Sequence, residues 1–156
     1  MMYLRISGRA WLNLLGHPVM NRPLGARYHI PHGMSNAQLA PEVTAFSLGG
    51  APKRYADVCR ALGMCSPGIS DEDAASALPD GLRSLCKDLK VPPLSECSVT
   101  LESLEKMGAS MAAEALASGS PNNNPIIPTV EEIQELYLSI FRQGEARSSQ
   151  SPSGGS

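Results

Sequence analysis

The residues best suited to chemistry in this 156-residue chain are its three histidines, His17, His29 and His32. A neutral imidazole is a common ligand for zinc and iron. His29 and His32 stand three residues apart in "RPLGARYHIPHGMSNAQLAPEV", Arg22 to Val43. A turn in that stretch would bring the two rings together. Two rings are not a site, because a metal takes three or four protein ligands. The nearest carboxylate along the chain is Glu42. The spacing leaves two readings open: a small metal site drawing on all three histidines, or a surface turn with polar rings.

Other chemistry finds less support. The chain has no GxGxxG fingerprint and no P-loop to cradle a phosphate, and "LGG" at 48–50 reads as a loop. No G-x-S-x-G elbow is present. The four cysteines, Cys59, Cys65, Cys86 and Cys97, have 5, 20 and 10 residues between them, and none forms a C-x-x-C pair. A cysteine nucleophile needs a basic, exposed pocket, whereas Cys59 and Cys86 lie on apolar faces of predicted helices. They read as reduced, buried thiols, the state expected of a chain without a visible secretory signal. Asn122–Asn124 reads as a loop fixed by its own side chains before Pro125.

Composition narrows the classes further. The chain has room for one domain with a modest core. It is 42% apolar but only 4% aromatic, so packing must rest on aliphatic and methionine side chains. A net charge of −2 with no Lys/Arg cluster argues against nucleic acid as a partner. No apolar run approaches the roughly 18 residues that span a bilayer, so no membrane association is expected. The first 41 residues hold Arg5, Arg9, Arg22 and Arg27 and no acid, while all 15 acids lie from Glu42 onward. An acid-free, arginine-bearing start can signal mitochondrial import. Chance in a short segment is the simpler reading, and a cytoplasmic location is expected, with mitochondrial as the alternative.

The elements that must position the histidines are helices. No stretch alternates with period two for long enough to be a strand. A first helix is expected from about Gly33 to Phe46, then a break at "GGAP", 49–52. Pro52 suits the first turn of a helix reaching Leu62, with Tyr55, Val58, Cys59 and Leu62 on one face. Ser70 before "DED" signals a helix start. Leu82, Leu85, Cys86 and Leu89 form the following stripe, which Pro79 and Gly81 are expected to split. "VPPLSECSV" at 91–99 is a loop. Thr100 caps a helix with Leu101, Leu104, Met107, Met111, Ala115 and Leu116 at threes and fours. A loop over 117–128 leads to the capping box "TVEE", 129–132, and to the cleanest apolar stripe: Val130, Ile133, Leu136, Tyr137, Ile140 and Phe141. The expectation is an all-α helical bundle of about five helices. An atypical segment covers 1–20, the domain covers 21–143, and a polar tail over 144–156 buries too little to order itself.

The opening stretch resembles the metal-binding segment of iron-containing (group III) alcohol dehydrogenases. There, His-Pro-Leu-Gly leads through a short turn to Pro-His-Gly and a helix opening on Ser/Ala-Asn-Ala. The resemblance continues in order through "APKRYADVCRALGM", "LCKDLKVPPLSECSVTLESLEKMGASMAAEALAS" and "NNNPIIPTVEEIQELYLSIF", covering roughly residues 22–142.

The resemblance implies a helical C-terminal domain that faces a nucleotide-binding α/β domain across a cleft. It implies oxidation or reduction at a CH–OH group, with an alcohol or aldehyde as small-molecule partner. The cofactors implied are NAD(P) and one divalent metal, Fe2+ or Zn2+, held by an Asp and three His. The metal stabilises charge developing on the alcohol oxygen. Carried over residue by residue, His32 matches the Pro-His-Gly ligand. The preceding ligand position falls on Pro18, with His17 one residue away, and one residue turns a helix by about 100°. His17 would serve only if the backbone re-formed. Arg22 stands where the family has its His-Pro-Leu-Gly histidine. His29 matches a variable position and lines the cleft at most. The remaining Asp and His ligands, and the nucleotide domain, are expected on sequence this chain does not contain. The resemblance therefore implies a partial dehydrogenase that is inactive as this chain alone, with self-association or association with a full-length relative as further partners. The alternative is a non-catalytic helical interaction module of the same descent.

Overall fold

The computed structural model describes residues 18–117 and 125–148. Every regular element among them is helical: α1 Pro18–Tyr28, α2 His32–Ser47, α3 Pro52–Ala61, α4 Asp71–Asp88, α5 Leu101–Ala117 and α6 Val130–Ser148. Short 3-10 turns cover Leu48–Gly50 and Leu94–Cys97. None of these helices is long and apolar enough to cross a membrane.

Most helix starts follow from local chemistry. Ser70 Oγ accepts the Asp73 N–H at 3.1 Å, and Asp71, Glu72 and Asp73 occupy the positive end of α4. The Thr129–Glu132 box closes at α6: Glu132 N–H donates to Thr129 Oγ1 at 3.2 Å, and Thr129 N–H donates to Glu132 Oε2 at 2.7 Å. Thr100 and Ser103 make the same reciprocal pair at α5, at 3.1 Å each way. Pro52 stands in the first turn of α3, where its missing N–H costs nothing.

Two apolar clusters form the core. The larger joins α1, α2, α5, α6 and the 94–97 turn, around Leu24, Leu39, Leu104, Met111, Ile133 and Tyr137, all fully buried. The smaller lies between α3 and α4, around Tyr55, Val58, Cys59 and Leu78. Helix α2 packs on α4 and connects the two. At that junction Arg83 of α4 holds the buried Glu42 carboxylate of α2 through Nε at 2.9 Å and Nη2 at 2.8 Å. Burial works against the Arg83 charge, but the hydrogen bond and charge of Glu42, with a lesser share from Asp80, hold the guanidinium above its ordinary value.

Several expectations are corrected. Helix α4 runs unbroken through Pro79 and Gly81. The amide that Pro79 lacks removes one helical hydrogen bond, and burial of Leu78, Pro79 and Leu82 offsets it. The buried face of α4 is Ala75, Leu78, Leu82 and Cys86, so Leu85 and Leu89 point to water. Leu62 also leaves the α3 face: it is the C-cap and is exposed. The polar sequence after Gln143 continues α6 as far as Ser148, and the tail from 149 lies outside the described residues. The periodicity does not announce helix α1, whose sequence has no amphipathic period and carries Pro23 inside. Burial of Met20 and Leu24 supports it, at about 1.5–3 kcal/mol per large apolar side chain. The Tyr137 hydroxyl also donates to the Met20 carbonyl at 2.6 Å.

Candidate functional site

His29 and His32 lie at the α1–α2 junction. His29 follows the last residue of α1 with φ +54°. A left-handed residue there ends a helix. Its ring is exposed. Pro31 then caps α2, its carbonyl accepting the N–H groups of Met34 and Ser35 at 2.9 and 3.0 Å. His32 is the first residue of α2, and its ring is exposed as well. The segment between the histidines therefore turns them onto different elements of the junction. His17 lies outside the described residues.

The side chain that meets His32 is Asn21, which also bonds Asn36. Asn36 sits one turn further along α2, on the same helix face. Asn21 is presented by α1 and is almost fully buried. Its Nδ2 lies 3.1 Å from His32 Nδ1 and also donates to Asn36 Oδ1, while its Oδ1 has no partner. The roles in that contact follow the imidazole tautomer: a ring protonated on Nε2 accepts from the amide at Nδ1. A histidine that ligates a metal through Nε2 instead donates its Nδ1–H to an acceptor. Both amides would have to turn over together to supply that acceptor. Arg22, on the next position of α1, is exposed.

This donor set does not fit a divalent metal by itself. Among the described residues no group of three His, Cys, Asp or Glu side chains could hold an ion. The carboxylate expected to be nearest, Glu42, is committed to Arg83. His32 offers one imidazole, and its neighbours are amides, which are weak ligands for iron or zinc. An open hollow of about 550 Å³ lies elsewhere, at the start of α3, beside Pro52, Lys53, Arg54, Asp57 and Pro125. It does not include His32.

Asn36 was within reach of sequence reasoning, since a polar side chain four residues after a helical histidine shares its face. Asn21 was not: it stands eleven positions before His32 in a helix the sequence does not announce.

The order of segments along the chain finds its counterpart in known proteins. The model of the iron-containing alcohol dehydrogenase family, C-terminal part, matches residues 12–141. A lactaldehyde reductase of Escherichia coli is 34% identical over 119 residues, covering 76% of this chain and 30% of that protein. An alcohol dehydrogenase of Thermococcus barophilus is 34% identical over 141 residues, covering 87% of this chain and 34% of that protein. The crystal structure of a 1,3-propanediol oxidoreductase superposes with a TM-score of 0.70 at 31% identity, over 84% of this chain and 32% of that one. The chain thus spans about a third of the length of these relatives. Sequence match and structural match point the same way, and the chain belongs to the iron-containing alcohol dehydrogenase family, within its C-terminal part.

Proposed function

We propose that these helices are the metal-facing part of an NAD(P)-dependent oxidoreductase acting on the CH–OH group of a small alcohol or the corresponding aldehyde. We propose also that the 156-residue chain alone does not turn over. The observation that carries the second statement is the ligand set at the α1–α2 junction: His32 is a single imidazole, backed by Asn21 and Asn36. In an assembled site of this family, with iron or zinc as the metal, His32 is the residue of this chain that would face the ion. The test is direct. The purified chain is incubated with Fe2+ or Zn2+, NAD+ or NADP+, and a panel of primary alcohols and diols. No formation of reduced nicotinamide is expected, and less than one equivalent of metal should remain after gel filtration. Turnover that disappears in His32→Ala would overturn the reading. A cytoplasmic location belongs to the same proposal, and cell fractionation tests it.

A second reading, a helical module that associates with a full-length relative, is favoured by Leu85 and Leu89. Leu85 lies on α4 and Leu89, one turn further on, is its C-cap; both are exposed. Co-elution of the chain with a full-length family member, lost in a Leu85→Ser/Leu89→Ser variant, would support it. Separate elution would remove it.

A further inference from the structure

Helix α3 ends in a turn that folds the chain back over its own last residues. Gly63 adopts φ +69°. Its N–H bonds the Arg60 carbonyl at 3.1 Å, and the Met64 N–H bonds the Cys59 carbonyl at 3.0 Å. This pair of bonds is the Schellman arrangement, with glycine at the left-handed position. Its consequence is that the chain just past Met64 returns to the level of Cys59. Cys65 follows at once, packed against the cluster that contains Cys59, and is the neighbouring side chain that acts on the Cys59 thiol. The far end of the same loop is fastened by Arg60, whose Nη1 bonds Asp71 Oδ1 at 2.7 Å and whose Nη2 bonds the Ile69 carbonyl at 3.0 Å. Both cysteines belong to the smaller core cluster, Cys59 fully buried and Cys65 partly exposed at its edge.

We propose that Cys59 and Cys65 are an oxidisable dithiol, which a peroxide converts into an intramolecular disulfide fastening the 62–70 loop to the end of α3. Cys65, the sulfur that solvent reaches, attacks the peroxide as thiolate. The O–O bond breaks, Cys65 becomes a sulfenic acid, and hydroxide leaves to be protonated to water. The Cys59 sulfur then displaces the second hydroxide, forming the S–S bond as its own proton completes a second water. The two thiols lose two electrons and two protons in all, and the peroxide gains them. Burial, and then the neighbouring Cys65, push the Cys59 thiol up to about 11. Exposure assigns the first attack to Cys65, which solvent reaches, and the resolving step to Cys59, which is fully buried. The dithiol lies on α3 and its following loop, away from the His32 junction, and is independent of the dehydrogenase reading.

The four cysteines fall in four different tryptic peptides, so the pairing can be read directly. The full chain is treated with hydrogen peroxide at neutral pH, digested without reductant and mapped by mass. The expected result is loss of two of the four free thiols and a linked pair joining peptide 55–60 to peptide 61–83. Cys65→Ser and Cys59→Ser should each abolish that linked pair, while Cys86→Ser leaves it in place. Three results would overturn the proposal: retention of four thiols, over-oxidation of Cys65 with no linkage, or a disulfide that includes Cys86 or Cys97. Because the mapping is done first on the unsubstituted chain, a variant that fails to fold does not decide the outcome.

Discussion

Replacing Arg83 by methionine tests whether the junction between the two apolar clusters is held electrostatically. In the native arrangement the Glu42 side chain is only 11% exposed and Arg83 30% exposed, with 2.8 Å between Nη2 and Oε1. At an effective dielectric constant of about 20, two unit charges at about 3 Å attract by roughly 5–6 kcal/mol. Desolvation of both groups offsets much of that gain. Removing one partner from a fully buried pair costs about 3–5 kcal/mol, because the other charge stays buried and unpaired. Arg83 keeps about a third of its side chain in water, and the screening lowers the expected cost to about 2–3 kcal/mol. For a chain of this size that is a fall in Tm of about 4–12 °C, read by circular dichroism. Glu42→Gln combined with Arg83→Met should recover most of the loss, since no unpaired charge then remains. Asp80, also bonded to Arg83 but 83% exposed, serves as a control, and Asp80→Ala should change stability by less than about 0.5 kcal/mol. A single variant within about 0.5 kcal/mol of wild type, or a double variant no better than the single, would refute the reasoning.

The remaining expectations concern single contacts. Tyr137→Phe removes the hydrogen bond to the Met20 carbonyl and should cost about 1 kcal/mol in thermal melts; an unchanged Tm would show that this bond does not tie α1 to α6. Burial, with a smaller push from Glu114, raises the Tyr137 phenol above its ordinary 10.0. Its share of stability is therefore intact below about pH 10 and is lost as pH rises beyond it; the Tyr137→Phe variant should show a shallower alkaline decline, and an identical decline would contradict the assignment. Gly81→Ala would place a Cβ 2.7 Å from Met64 Sδ and 2.8 Å from its Cβ. Overpacking should outweigh the better helix propensity of alanine and lower stability by about 1 kcal/mol; a raised Tm would overturn this. Ser70→Ala removes the cap from α4 and should cost about 1 kcal/mol in a denaturant titration, against no shift if the acids of the first turn suffice.

The sequence by itself determined what is decided within three or four residues. The caps at Ser70, Thr100 and Thr129, the start at Pro52 and the breaks around 49–52, 65–70 and 91–99 were legible because each rests on a hydrogen bond or a steric clash between near neighbours. The apolar stripe of α6 was legible for the same reason, and the four segments of the family pattern added the class of protein. Tertiary structure decided the rest. Helix α1 exists because Met20 and Leu24 are covered by distant helices, and α4 passes through Pro79 because buried neighbours outweigh one missing hydrogen bond. The histidines show the division most clearly. Their spacing proposed a pair, but His29 is the left-handed residue that follows α1, while His32 opens α2. The partner His32 actually meets, Asn21, is brought to it by the packing of α1 against α2. Residue type and local spacing fix where a chain turns; which side chains then face one another depends on contacts that only packing can make.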